Sequence, residues 1–232
     1  MSLSAPHLPA DLAGRDVVVT GGAGALGDAV VRAFQAVGAR CHVPCLQGHV
    51  PSDPVPGASY TDGVDLADED AVAAYYAGLP DLWASLHLAG GFVWARLEDT
   101  ALAVARQQRA LNADTALLCC REAARRLGAG GRGGRLVNVA SRAVSHPAPG
   151  MAAYAMSKAA VVALTQTLAE ELRPDGILVN AVAPGIIDTP ANRAAMPDAD
   201  RSAWSPPAAI AVVLGLLASP SLTTTSGAIV PV

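Results

Sequence analysis

Strand-like and helix-like stretches alternate along this 232-residue chain, which predicts an α/β fold: a doubly wound, mostly parallel sheet of seven strands with helices on both faces. Two further observations support it. The strand-like runs, such as D-V-V-V-T (16–20) and I-L-V-N-A-V-A (177–183), are nearly continuous apolar segments, as expected of strands covered on both faces. The first of them runs directly into a glycine-rich turn and then a helix-patterned stretch. The length suits one sizeable core, so residues 1–232 are expected to form a single domain.

Taken in order, the first strand spans Asp16 to Thr20 and is followed by Gly21-Gly22-Ala23-Gly24-Ala25-Leu26-Gly27 and an apolar-periodic helix to Val37. Glycines there let the backbone bend sharply and approach a pyrophosphate, which the free N–H groups and positive dipole end of the helix stabilise. This strand, turn and helix unit is Rossmann-like. A second strand is expected over Arg40 to Cys45, and the Pro- and Gly-containing stretch 46–58 replaces much of a crossover helix. A short third strand ends at Asp65-Leu66, followed by a helix over Asp68 to Ala77. A fourth strand covers Leu82 to Ala89 and runs into Gly90-Gly91. Helices then cover Leu97 to Leu127, and a glycine turn (Gly128 to Gly134) precedes a fifth strand, Arg135 to Ala140. A long helix over Met151 to Arg173, a sixth strand over Ile177 to Ala183, a break at Pro184-Gly185, an apolar helix over Pro206 to Ala218 and a last strand over Ala228 to Val232 complete the chain.

Composition excludes several function classes. Hydrophobic residues make up 52% of the chain and charged residues 16%, with a formal net charge of −4, so neither nucleic acid nor an anionic membrane is an expected partner. No apolar run is long enough to span a bilayer, and the first residues lack a basic segment followed by an apolar one; the expected location is cytoplasmic. The four cysteines, Cys41, Cys45, Cys119 and Cys120, fit reduced thiols better than a disulfide framework. Cys41, His42, Cys45 and His49 lack a second paired cluster, and no metal is expected.

The chemistry concentrates between Ser141 and Lys158. Tyr154 and Lys158 lie four residues apart, so on a helix both leave one face about a turn apart. An ammonium near a phenol favours the phenolate, which predicts a depressed Tyr154 pKa suited to general acid/base work. Ser141, at the end of the fifth strand, can hydrogen-bond the same substrate oxygen. A lone Y-x-x-x-K is more often a surface tyrosine with a nearby cation; its company decides the matter.

That company consists of T-G-G-A-G-A-L-G (20–27), Asp65-Leu66, H-L-A-G-G (87–91), Asn112 with Ser141, Tyr154 and Lys158, and P-G-I-I-D-T (184–189). In this order the segments resemble the short-chain dehydrogenase/reductase family over nearly the whole chain. The resemblance implies a hydride transfer between a nicotinamide cofactor, NAD(P), and a small carbonyl or alcohol substrate. It implies Tyr154 as proton donor, Lys158 lowering its pKa and holding the nicotinamide ribose, Ser141 orienting the substrate oxygen and Asn112 holding a relay water. For the cofactor it implies contacts from Gly21, Gly24, Ala25, Leu26, Gly27, Cys45, Asp65, Leu66, Ala89, Gly90, Pro184, Gly185, Ile187 and Thr189, besides Tyr154 and Lys158. It also implies pairing of the two long helices into a homodimer or homotetramer.

The chain departs from the family pattern at three places. Ala25 replaces a glycine, and His87-Leu88 replaces a pair of asparagines, where His87 reads as a structural substitute. Cys45 replaces the acid that would bind a ribose 2′-hydroxyl, which leans the cofactor choice toward NADP(H). A narrower similarity, carried by G-G-A-G-A-L-G, P-G-M-A-A-Y and residues 188–204, is to quinonoid dihydropteridine reductase, a short member of the same family; Ser141 and Cys45 set the chain apart from it. A cofactor-binding sensor without catalysis is the remaining alternative, and the intact Asn112, Ser141, Tyr154 and Lys158 argue against it. Phe92, Trp94, His146, Met151, Met196 and Trp204 are candidates for lining a pocket for a flat or apolar substrate.

Overall fold

The computed structural model describes residues 8–232; the expectation about the first residues falls largely outside them. Seven strands form one parallel sheet: β1 (Asp16–Thr20), β2 (Arg40–Pro44), β3 (Ser59–Thr61), β4 (Leu82–His87), β5 (Gly134–Val139), β6 (Ile177–Ala183) and β7 (Ile229–Pro231). Their order is β3-β2-β1-β4-β5-β6-β7, and every pairing is parallel. The order reverses between β1 and β4, where open α/β sheets leave a crevice beyond the strand ends.

The apolar runs alternate between two cores. Val17 and Val19 of β1 face a cluster with Val30, Val31 and Phe34 of α1 (Ala25–Ala36) and Ile210 and Leu214 of α7 (Pro207–Ala218). Val18 faces the opposite cluster, which holds Tyr75 and Tyr76 of α2 (Glu69–Ala77), Cys119, Cys120 and Leu127 of α4 (Thr115–Gly130), and Ala169 of α5 (Ala152–Glu171). Strands covered on both faces have no polar side to show, which is why their sequences read as unbroken apolar runs.

Local chemistry sets the boundaries. Asp68 caps α2 by accepting from the Asp70 and Ala71 N–H groups, as an N-cap aspartate does. α4 continues past the expected stop through Gly128 to Gly130, and ends where Gly131 adopts φ +64°. The stretch expected as helices to Leu127 is broken: a 3₁₀ turn (Leu97–Asp99), α3 (Leu102–Arg109), a π-turn (Ala110–Asp114) and then α4. The third strand ends at Thr61 rather than Asp65-Leu66, because Gly63 at φ +80° turns the chain. The second and fourth strands stop short, at Pro44 and His87. A short helix α6 (Pro190–Ala195) stands where only loop was expected. Among the described residues no helix is long and apolar enough to cross a membrane.

Candidate active site

The site lies where β1, β4, β5 and β6 end. Gly21 (φ +68°) begins the turn after β1, and a Cβ there would stand 2.8 Å from the Ala89 nitrogen. A Cβ on Gly27 would stand 2.1 Å from the Gly21 carbonyl oxygen, so only glycine lets α1 start this close to the turn. Gly24 caps α1 without any side-chain hydrogen bond, and Gly24 and Ala25 are exposed. The first-turn N–H groups of α1 thus face outward beside a close-packed turn, an arrangement that fits a dinucleotide pyrophosphate. The methyl of Ala25 points to open surface and does not obstruct it.

Tyr154 and Lys158 leave α5 on one face, both toward the end of β5, as their spacing predicts. Lys158 is 5% exposed and donates from Nζ to the Val139 carbonyl at 2.8 Å. Burial lowers its pKa to about 8. It is the chain's only lysine; every other side-chain cation except histidine is arginine, a signal in the sequence that the motif reading passed over. Ser141, buried at the end of β5, accepts from the Ala143 N–H at 3.2 Å, and its hydroxyl lies near enough to the Tyr154 phenol to lower the phenol's pKa. The expected depression of the Tyr154 pKa by Lys158 is not met in this structure. Burial raises it, and the group that lowers it is the Ser141 hydroxyl, while the Lys158 ammonium donates to the Val139 carbonyl.

Asn112 sits in the π-turn between α3 and α4, a distortion that often marks functional positions. Its Oδ1 accepts from the Gly91 N–H at 3.1 Å, and its Nδ2 reaches the Gly91 carbonyl (2.9 Å), the Gln108 carbonyl (3.0 Å) and the Ser157 hydroxyl (3.1 Å). The Asn112 side-chain amide thus fixes the loop after β4. Gly90 explains the fit: a Cβ there would stand 2.5 Å from Asn112 Oδ1 and 3.4 Å from Lys158 Nζ. Ser157 went unnoticed in the sequence, since nothing but three-dimensional contact links it to Asn112, whereas Gln108 lies one helical turn before Asn112.

The remaining expected cofactor contacts divide. Ala89 donates its N–H to Thr20 Oγ1, Pro184 accepts from the Arg142 N–H, and Gly185 donates to the Val232 carbonyl; all three lie at strand ends around the crevice. Ile187 pairs with Ser205 in a short parallel bridge, and Thr189 caps α6 through the Asn192 N–H. Asp65 is exposed and caps its own turn through Ala67, while Leu66 packs partly against the second core. Cys45 is buried with Sγ toward the Val43 carbonyl, so its thiol faces the interior. The carboxylate nearby is Asp62, fixed by Gln47 Nε2 (2.9 Å) and the Gly48 N–H (2.8 Å); it and burial push the Cys45 thiol pKa up, burial more. Near Cys45, His42 contacts Asp16, His49 the Gln47 carbonyl and Cys41 Sγ the Val31 carbonyl.

His87 lies below the site, bonded through Nδ1 to Asn138 Oδ1 (2.7 Å) and through Nε2 to the Ser85 hydroxyl (2.9 Å), which meets the Tyr76 hydroxyl (2.8 Å). Asn138 Nδ2 donates to Thr165. Burial pushes His87 down to about 4, so it is neutral, and it ties β4 to β5 as a structural substitute should.

The family model for short chain dehydrogenase matches residues 15–200. The sorbitol dehydrogenase of Cereibacter sphaeroides is 30% identical over 184 residues, 76% of this chain and 72% of that one. The mitochondrial (-)-isopiperitenol/(-)-carveol dehydrogenase of Mentha piperita is 32% identical over 192 residues, 77% and 72% of the two chains. The solved structure of a 3-oxoacyl-[acyl-carrier protein] reductase from Brucella melitensis with bound NAD superposes with a TM-score of 0.86 at 26% identity, covering all of this chain and 95% of that one. The chain belongs to the short-chain dehydrogenase family, NAD(P)-binding oxidoreductases with a Rossmann-like fold.

Proposed function

We propose that the protein transfers a hydride between NAD(P) and a small carbonyl or alcohol substrate, with Tyr154 as the proton donor and acceptor. The observation that carries this reading is the placement of Ser141, at the end of β5, close enough to Tyr154 to act on its phenol, with Lys158 on the Val139 carbonyl and Asn112 on Gly91 behind them. The glycine turn, the α1 N-terminus and the strand-end segments 89–90 and 184–189 would hold the dinucleotide, and in its reduced form that cofactor supplies the hydride to the carbonyl carbon. Ser141 orients the carbonyl oxygen, and Tyr154 gives it the proton that completes the alcohol. Lys158 holds a positive charge below about pH 8 beside the Val139 carbonyl, where it would meet the ribose of the bound dinucleotide. Asn112 acts by fixing the 90–91 backbone against Lys158. Ser141, which the pterin-reductase reading does not require, favours a general carbonyl reaction.

The lean toward NADP(H) drawn from the missing acid at position 45 is opposed by the Asp62 carboxylate beside that strand end, so discrimination between the two cofactors is modest. A mostly apolar groove of about 580 Å³ between α4 and α5, lined by Leu117, Ala124, Leu164 and Leu168 among others, supports pairing of these helices with a second copy into a dimer or tetramer; a monomeric mass by light scattering would refute the pairing. The whole reading is tested by Tyr154→Phe. Turnover should fall by about 10²–10⁴-fold, the usual contribution of a general acid, while cofactor titration is unchanged; near-wild-type turnover would overturn it.

A further inference from the structure

Phe92, Val93 and Trp94, just beyond β4, are 52%, 36% and 57% exposed. Three consecutive large apolar side chains in water are costly unless something covers them. Two of these side chains have fixed contacts. The Phe92 ring meets the Tyr154 ring edge-on, with centroids 5.0 Å apart. Trp94 Nε1 donates to the Pro149 carbonyl at 3.0 Å, and the Ala95 N–H donates to the Gly150 carbonyl at 3.0 Å. Gly150 has φ +79°, and a Cβ there would stand 2.2 Å from the indole nitrogen, so glycine alone admits the ring. The loop after β4 is thus stitched to the loop before α5, and the pair sets an aromatic wall beside the phenol.

Several polar groups of these loops are satisfied within the protein. The indole N–H is taken by Pro149, and Thr100 Oγ1 donates to the Arg96 carbonyl at 2.7 Å. Ser145 Oγ bonds the Arg142 carbonyl and His146 Nδ1. Arg96 pairs with Glu98, and Arg193 with Asp188. Beside the wall, Ser141 and Tyr154 remain to receive a ligand oxygen, enough for one carbonyl or hydroxyl. Arg142, the charged side chain next to Ser141, lies against Gly185, whose Cβ position is 3.6 Å from Arg142 Cδ.

Resting on the oxidoreductase reading above, we propose that the site takes an uncharged cyclic ketone, or the matching secondary alcohol, whose apolar ring lies on Phe92 and Trp94 while its single oxygen meets Ser141 and Tyr154. A polyol would leave hydroxyls unpaired against aromatic faces, and a carboxylate would lose hydration without gaining a partner on this wall.

The test uses 1-tetralone and 4-tert-butylcyclohexanone against D-fructose and 2-oxobutyrate, with both nicotinamide cofactors. The cyclic ketones should show kcat/KM at least 100-fold above the other two. Phe92→Ala and Trp94→Ala should each raise KM for 1-tetralone at least tenfold without changing cofactor affinity, and Trp94→Phe should stay within threefold of wild type. Higher kcat/KM for fructose, or for 2-oxobutyrate with loss in Arg142→Ala, would overturn the proposal and leave the oxidoreductase reading standing. So would an unchanged KM in both alanine variants. Calorimetric binding of 1-tetralone to the cofactor-loaded protein decides the matter apart from turnover: binding lost in Phe92→Ala supports the wall, and no binding to wild type overturns it. Cofactor binding without turnover of any carbonyl compound would instead defeat the oxidoreductase reading.

Discussion

Two polar clusters lie buried along β4 and β5, one built on His87 and Asn138 and the other on Ser141, Tyr154 and Lys158. Both contain a group whose pKa burial has displaced, His87 to about 4 and Lys158 to about 8, so a displaced pKa does not distinguish them. What differs is hydrogen bonding. Both ring nitrogens of His87 and the side-chain amide of Asn138 are satisfied by buried protein partners, which makes the cluster a cross-link between strands. In the other cluster the Ser141 hydroxyl accepts one backbone N–H and lies near the Tyr154 phenol, and on the proposed reading a substrate oxygen would complete their bonding. Buried polar groups with complete partners hold a fold, whereas those left open to a crevice are available for chemistry.

That contrast can be broken or sharpened by substitution. The largest effect should come from Lys158→Met, which removes the charge behind the phenol and, on the proposed reading, a ribose contact: turnover should fall by roughly 10³-fold and cofactor affinity with it, checked by steady-state rates and fluorescence titration. Because Lys158 is the only lysine, selective ¹⁵N-lysine labelling should give one Nζ resonance, and its titration near pH 8 rather than above 10 checks the effect of burial.

Next comes acid stability. His87 titrates near 6.5 when unfolded and near 4 when folded, so its neutral form is favoured by the fold. This contribution is present in full above pH 6.5 and is lost as pH falls toward 4, about 3 kcal/mol in all. Denaturant titrations of wild type and His87→Gln across that window should diverge, the wild type losing more. Ser141→Ala should lower carbonyl reduction by at least tenfold, about 1.4 kcal/mol, through loss of one oxygen-orienting hydrogen bond; turnover left intact would return the pterin-like reading to favour. The smallest effect belongs to Asp62→Asn, which should shift the NADP(H)/NAD(H) affinity ratio by about threefold toward NADP(H), the size of one charge repulsion across a water-like medium.

How much of this was visible in the sequence depends on whether the information was local. The sheet and its helices were legible because strands covered on both faces must be apolar throughout, and Val17, Val18 and Val19 show that pattern plainly. Tyr154 and Lys158 were legible together because one helical turn puts them on the same face, while Ser141, on another element, joined them through the family resemblance. The third strand was misjudged past Gly63, where positive φ turns a stretch whose residues look extended. The direction of the Tyr154 pKa shift was hidden for a different reason: it depends on how deeply the phenol is buried and on which oxygen the ammonium finds, and both are set by tertiary contacts. Phe92 beside Tyr154, and Ser157 beside Asn112, were invisible as partners for the same reason.

The division of labour between the two clusters is tested most directly by measuring turnover and thermal stability in parallel for Tyr154→Phe and His87→Leu. Tyr154→Phe should lose turnover by about 10²–10⁴-fold and melt within a few degrees of wild type. His87→Leu leaves Ser85 and Asn138 without their buried partner, and should lower the melting temperature markedly while the folded protein keeps turnover within a few-fold of wild type. If His87→Leu instead abolishes turnover in protein that remains folded, or Tyr154→Phe remains active, the assignment of scaffold to one cluster and chemistry to the other is contradicted.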